Sequence, residues 1–331
     1  MLFVRFLAFG DVLLTMPVIE ALARSENVSH VDLLTGAEYA DDLRRSPWVR
    51  HVFAYDARIG RMHRHDGRSR HVEHDSEIGE YDVVVDLHTR AVPLGEELEA
   101  LIAGLRGHRR VGYASPFSPS PADYTLAARG RDEHAVEYYA RSVADLIDVP
   151  LGNGSMRITE AERAQAAMRL PPDPVCMAPG ARYPWKRWPA ESYAKLAGLL
   201  AAEGYSPLLI GQRPFDEPYV RAVRRLRDIP AIMDSTVELA NLMAAAGLVI
   251  ANNSGLTALA AASGAQVVCV HSHTLPAMWR PWGDGHANLT GEPGPCGCVG
   301  PAPHDLATPC GKGISPEDVF GAVIRLSRGR S

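Results

Sequence analysis

The sequence predicts an α/β fold of two Rossmann-like, doubly wound halves facing each other across a cleft. Short apolar runs alternate with longer amphipathic segments from end to end, the pattern of parallel sheets covered by helices. The chain has 331 residues, more than one ordinary core accommodates and suited to two domains of roughly 150 residues each. The rhythm restarts after Pro150-Leu-Gly-Asn-Gly-Ser155, a linker-like stretch. The expected division is therefore an N-terminal domain at 1–152, a second domain at 153–315 and a terminal helix at 316–331.

In the first half, apolar or β-branched runs predict strands at 2–8, 30–34, 51–55, 83–87 and 109–112, with helices at 18–24 and 94–105. Residues 56–80 break the rhythm: crowded with His, Arg, Asp and Gly and nearly without apolar periodicity, they predict an exposed excursion. Its histidines (His63, His65, His71, His74), with His51 just before, match no compact metal-ligand spacing. Helix resumes at 134–147. The second half predicts helices at 160–168, 190–203, 215–226, 237–245 and 255–263, and strands at 175–178, 207–210, around Ile232, at 248–251 and at 267–271. The last helix, 316–327, starts behind Ser315, with Asp318 three residues on as an acidic stand-in for a capping-box glutamate.

Composition is that of an ordinary soluble protein, 46% hydrophobic and 22% charged. A net charge of -5 gives no general reason to bind nucleic acid. Arg44, Arg45, Arg106, Arg109 and Arg110 could still form a local basic face for an anionic partner. The N-terminus lacks the marks of a signal peptide, and no apolar run reaches the ~20 residues a bilayer span needs. A cytoplasmic protein with at most peripheral membrane contact is expected. Five cysteines, an odd number, fit reduced thiols. Cys176 and Cys269 lie in strand runs and should be buried, while Cys296, Cys298 and Cys310, with His304, lack the second pair of a thiolate site. No metal and no cofactor are expected.

Three strand-to-helix transitions carry the candidate chemistry. Phe9-Gly-Asp-Val-Leu-Leu-Thr-Met-Pro17 places Asp11 after Gly10, where glycine allows a sharp turn and close ligand approach. A carboxylate there can accept a proton from an attacking hydroxyl, or simply cap a helix. Ala178-Pro-Gly-Ala-Arg-Tyr-Pro-Trp-Lys-Arg-Trp-Pro189 holds Lys186 in a stiff aromatic and proline setting, where it, or Arg187, can neutralise a diphosphate leaving group. Asn252-Asn-Ser-Gly-Leu-Thr257 offers an N-cap in Ser254 and, at Gly255, room for a phosphate against free helix amides. A nucleotide-linked sugar donor fits these elements. The first turn lacks the G-x-G-x-x-G fingerprint, which argues against NAD or FAD.

Together with Tyr81-Asp-Val-Val-Val-Asp-Leu-His88, Arg109-Arg-Val-Gly-Tyr113 and Ile314-Ser-Pro-Glu-Asp-Val319, these elements in this order resemble the ADP-heptose:lipopolysaccharide heptosyltransferases, glycosyltransferase family 9. The resemblance covers nearly the whole chain. It implies a GT-B fold with an acceptor-side first domain, a donor-side second domain and a final helix packing back across the pair. It also implies inverting, metal-independent transfer of heptose from an ADP-linked donor to a glycan or other hydroxyl acceptor. On that pattern Asp11 is the general base beside the turn residue Gly10, Lys186 the diphosphate ligand, and Asn253, Ser254, Gly255, Leu256 and Thr257 the donor turn. Asp216 or Glu217 would meet the ribose.

The departures concern specificity. Leu7 and Ala8 replace small hydroxyl residues, Asn253 replaces an aspartate that can accept hydrogen bonds from sugar hydroxyls, and Ala258 replaces a histidine. Heptose is thus the family default, and the acceptor is open, with residues 56–80 placed to suit an anionic one. Two rivals share the architecture: a nucleotide-sugar epimerase, which needs no acceptor, and a non-catalytic nucleotide-sugar binder, which would not depend on Asp11.

Overall fold

The computed structural model describes all residues except 7, 57–60, 66–77, 88–95, 114–123, 127–128, 131, 273, 292–312 and 330–331, and, in addition, not the side chains of 61–65, 97, 113 and 124–126. The chain divides into two compact units, Met1–Arg157 and Ile158–Ser331, the division falling a few residues beyond 152. His71, His74, Cys296, Cys298, His304 and Cys310 lie outside the described residues.

The first unit runs β1 (Leu2–Val4), α1 (Phe9–Leu13), α2 (Met16–Arg24), β2 (Asp32–Gly36), α3 (Ala40–Leu43), β3 (Val52–Asp56), β4 (Arg61–His65), β5 (Tyr81–Asp86), α4 (Glu96–Gly104), β6 (Gly107–Tyr113), β7 (Tyr124–Leu126) and α5 (Ala135–Ala140). Its sheet has the order β4-β3-β2-β1-β5-β6-β7. All pairings are parallel except β3 with β4. The excursion expected at 56–80 therefore carries an edge strand. Polar Arg61-Met-His-Arg-His65 has no apolar run to announce it, yet main-chain bonds to β3 suffice at an edge. Leu2, Val4, Leu34 and Val84 from the strands and Leu98 and Ile102 from α4 form the core.

The amino edge of this sheet is pinned by Asp32, which is wholly buried and accepts from Arg50 Nε (3.0 Å) and Nη2 (2.6 Å), Tyr81 OH (2.7 Å) and the His51 amide (3.1 Å). β2, β5 and the chain entering β3 thereby share one carboxylate. Burial alone raises the Asp32 pKa; the hydrogen bonds from Arg50 and Tyr81 outweigh it and leave it below the ordinary value.

The second unit runs α6 (Glu160–Ala167), β8 (Pro174–Ala178), α7 (Ala190–Ala202), β9 (Ser206–Gln212), α8 (Glu217–Leu226), β10 (Ala231–Asp234), α9 (Thr236–Ala246), β11 (Leu248–Asn252), α10 (Gly255–Ala262), β12 (Gln266–His271), α11 (Pro276–Trp279), β13 (Ala287–Thr290) and α12 (Pro316–Arg328). The sheet is parallel, in the order β10-β9-β8-β11-β12-β13. Val175, Met177, Leu209, Ile250 and Val268 meet Leu196, Leu200, Val220 and Val223 of the covering helices. Val319, Ala322 and Val323 of α12 belong to this same core, so the apolar stripe of the terminal helix is used within the second unit. Burial of each valine contributes about 1.5–3 kcal/mol. Its capping box forms: Asp318 N donates to Ser315 Oγ at 3.1 Å and Ser315 N to Asp318 Oδ2 at 3.3 Å. Cys176 and Cys269 are free and buried in strands.

Asp32→Ala is expected to cost about 3 kcal/mol, the low end for an opened buried ion pair because Arg50 is half exposed. Since the folded pKa of Asp32 is depressed, its contribution is complete above the unfolded carboxylate pKa and is lost as pH falls through the folded value. Urea unfolding at neutral and acidic pH checks this: the gap between wild type and variant should narrow as pH falls.

Candidate functional site

Each sheet reverses its strand order once, between β1 and β5 in the first unit and between β8 and β11 in the second. At such a switch point neighbouring loops diverge and leave a crevice at the carboxyl edge, the usual place for ligands in open α/β sheets. The chain leaving β1 carries Asp11; those leaving β8 and β11 carry Lys186 and the turn beginning at Asn252.

Asp11 is neither a turn residue nor an N-cap. It is the third residue of α1, Ala8 is the cap, and Gly10 lies inside the helix rather than at a turn. Asp11 Oδ2 accepts from the Ala8 amide at 3.2 Å, while Oδ1 faces Arg5 Nη2 at 3.2 Å and accepts from Tyr139 OH at 3.3 Å. The side chain is 21% exposed, against 4% for Arg5. Arg5 is fixed in turn by donating Nη1 to Leu87 O beyond β5 and by lying 5.5 Å from the Tyr139 ring centroid. Burial pushes the Tyr139 phenol well above its ordinary value, so it stays protonated and can only donate to the carboxylate. The result is a held, partly exposed carboxylate at the switch point.

In the second unit the order of the Lys186 loop comes from Asn252, a fully buried side chain at the end of β11. Asn252 Oδ1 accepts from the Trp188 amide at 2.9 Å and from Tyr193 OH at 3.2 Å, and Nδ2 donates to Pro179 O at 2.6 Å. Both ends of the loop are thus tied to one side chain. Trp188 is fully buried and donates Nε1 to Ile314 O at 3.0 Å; Arg187 donates Nε to Ala181 O at 2.9 Å. Between these anchors a short turn carries Lys186, its Nζ 6.0 Å from the Tyr183 ring centroid. The charge of Lys186 is felt at Cys269 and His271 on β12. Burial pushes the His271 imidazole down to about 4 against the bond to Asn288 Oδ1, with Lys186 adding to the fall, so it is neutral at physiological pH. Arg187 is directed to Ala181.

The turn after β11 differs from expectation in two respects. Ser254 is the backbone N-cap of α10, but its hydroxyl makes no capping bond and is buried with no partner among the described residues. Asn253 donates Nδ2 to Trp279 O at 2.6 Å and, more weakly, to Cys269 Sγ at 3.7 Å. Its amide nitrogen therefore fastens the end of α11. Thr257 Oγ1 donates to Asn252 O at 2.6 Å. Gly255 and Leu256 open α10, whose first amides have no intrahelical acceptor.

Asp216 is buried beside the loop after β8: a Cβ on Gly180 would stand 1.9 Å from Asp216 Oδ1, so only glycine fits there. Burial raises its pKa against the pull of the Gln212 amide and Arg187. Glu217 instead pairs on the surface with Arg221 at 3.1 Å. The arginines read as a basic face are partly engaged elsewhere. Arg109 forms a two-point pair with Asp145 at 2.5 and 3.2 Å, and Arg110 caps α4 through the carbonyls of Ile102, Ala103 and Leu105. Sequence reasoning missed Asn252, Arg5 and Tyr139, because their roles rest on partners distant in the chain. Among the described residues no group of three His, Cys, Asp or Glu side chains is placed to hold a metal ion, and no helix is long and apolar enough to cross a membrane.

Two Rossmann-like units in one chain, each with its polar groups at the switch point of a parallel sheet, define a glycosyltransferase fold of the GT-B class. Residues 79–298 match glycosyltransferase family 9 (heptosyltransferase), and the chain belongs to that family. Over 198 residues it is 26% identical to lipooligosaccharide heptosyltransferase 2 of Haemophilus influenzae, an alignment spanning 55% of this chain and 56% of that protein. In fold it is similar to a family 9 glycosyl transferase from Veillonella parvula (TM-score 0.76, 20% identity, covering 99% of this chain and 97% of that one). It is also similar to E. coli ADP-heptose LPS heptosyltransferase II (TM-score 0.72, 20% identity, 100% and 99% covered) and to E. coli heptosyltransferase WaaC solved with ADP (0.70, 18%, 98% and 99%).

Asn252→Ala should orphan Pro179 O and the Trp188 amide, at about 1–3 kcal/mol each, and lower the thermal midpoint accordingly. Asn253→Asp should set a carboxylate against Trp279 O and also lower it, whereas a midpoint equal to wild type would show that the Trp279 bond contributes nothing.

Proposed function

We propose that the chain is an inverting glycosyltransferase that moves a sugar, heptose by family default, from an ADP-linked donor to a hydroxyl of a glycan acceptor. The observation that carries this reading is the cationic carboxyl edge of the second sheet. Lys186 is held there by a buried scaffold, and α10 begins without a side-chain cap. The likeness to WaaC, which was solved with ADP, supports the choice of nucleotide.

In this scheme the first unit supplies the base and the second holds the leaving group. The acceptor oxygen attacks the anomeric carbon from the face opposite the phosphate, its proton passes to Asp11, and the C–O bond to the diphosphate breaks with the electron pair leaving on ADP. Configuration inverts in that single displacement. Arg5 and Tyr139 hold Asp11 Oδ1, so the carboxylate is oriented before the acceptor arrives. Charge on the departing diphosphate is met by Lys186 and by the amide dipoles of Ser254, Gly255, Leu256 and Thr257, a metal-independent arrangement. Asp216 is the better placed of the two ribose candidates, since Glu217 is paired with Arg221. Action in the cytoplasm, without nucleic acid or a membrane span, belongs to the same reading.

With ADP-heptose and a lipooligosaccharide core acceptor, Asp11→Asn is expected to lower kcat by roughly 10² to 10⁴ with little change in ADP affinity. Lys186→Ala should weaken calorimetric ADP binding and turnover together, and wild type should prefer ADP over UDP and GDP. Normal turnover by Asp11→Asn would remove the base assignment. Donor rearranged without acceptor would mark epimerase chemistry instead.

A further inference from the structure

Polar groups crowd the carboxyl edge of the second sheet, and nearly all are matched. Asn252 uses both ends of its amide, Asn253 donates to Trp279 O, and Thr257 Oγ1 donates to Asn252 O. Both ring nitrogens of His271 are bonded at 3.0 Å, one with Thr274 Oγ1 and one with Asn288 Oδ1. Two hydroxyls break this pattern. Among the described residues Ser254 Oγ and Ser272 Oγ are buried with no hydrogen-bond partner, and Ser272 as a residue is only 7% exposed. A third such atom among the described residues of this unit, Gln266 Oε1, is at the opposite edge, where β12 begins.

The two serines are neighbours by topology. Parallel β11 and β12 pair Asn252 with Val270, and each serine stands two residues beyond its own strand's member of that pair. Each hydroxyl has given up water and received nothing in return, an arrangement that is unfavourable until a ligand supplies an acceptor. The surroundings select the acceptor's charge. α10 presents its positive end at Ser254, and the charge of Lys186 is felt at His271, the residue before Ser272. Anionic oxygens are favoured there over the neutral hydroxyls of a sugar.

We propose that Ser272 is a second hydroxyl donor of the diphosphate subsite, giving its O–H to a phosphoryl oxygen beside the Ser254 turn. This rests on the donor-side assignment of the second unit. The proposal deepens that assignment, because Ser272 follows the next strand and belongs to neither the Lys186 loop nor the α10 turn.

The test is calorimetric titration of the full-length wild type and the Ser272→Ala, Ser254→Ala and Lys186→Ala variants with ADP and, separately, with adenosine, alongside ligand-free melting curves. Ser272→Ala is expected to bind ADP about tenfold more weakly, the order of one hydrogen bond to a charged group. Its adenosine affinity should be unchanged and its ligand-free midpoint no lower than wild type, because an orphan hydroxyl has been removed. ADP affinity within twofold of wild type for Ser272→Ala, with Lys186→Ala impaired, would overturn the Ser272 role and leave the donor assignment standing. Unimpaired Lys186→Ala would remove the donor assignment and this inference with it. A lowered ligand-free midpoint, or equal weakening toward adenosine, would also overturn the proposal, the first giving the hydroxyl a structural role and the second making it a nucleoside contact.

Discussion

One buried amide, that of Asn252, sets the geometry of the second unit's edge. A loop leaving a central strand at a switch point must cross the sheet edge with its main-chain groups exposed to loss of water, and those groups need partners. Asn252 supplies them at both ends of the loop: an acceptor for the Trp188 amide and a donor for Pro179 O. An aspartate could not donate to the carbonyl, and a threonine could not reach both. Because the anchor is a side chain on β11, the strand that also launches α10, the position of Lys186 and the start of the helix are coupled through a single residue. The buried Trp188 and Tyr193 around it exclude water and strengthen each bond.

The first unit solves a related problem differently. Its switch-point group is a carboxylate, and the device that fixes it is a cation: Arg5, itself held by Leu87 O and the ring of Tyr139. A buried arginine needs a counter-charge, and Asp11, partly exposed, provides it without being wholly withdrawn from solvent. The two units share topology yet carry opposite charge at the same place in the sheet. In the proposed reaction that difference lets one accept a proton while the other stabilises a departing anion.

Much of this was legible in the sequence because it is local. Alternating apolar runs announced both parallel sheets, and Ser315 with Asp318 announced the last helix. The edge strands β4, β7 and β13 were not announced, because an edge strand needs only main-chain pairing and these carry no apolar run. Arg109 and Arg110 showed their charge but not their partners, Asp145 and the end of α4. At the site, residue types were readable and their engagement was not. Asn253 stood out as a departure, but Trp279 O, the carbonyl that gives an amide its use, lies twenty-six residues away.

That bond changes what the departure means. Read from the sequence alone, an asparagine in place of an aspartate suggests a different sugar, since one hydrogen-bonding group has been exchanged for another facing the ligand. In the fold the amide nitrogen points into the protein and fastens the segment after β12, so the exchange is matched to a main-chain acceptor. It also removes a negative charge from the turn nearest the helix amides, where a carboxylate would oppose a phosphate. The amide nitrogen is therefore used within the protein, and differences in sugar choice are better sought in polar atoms that are not already bonded there.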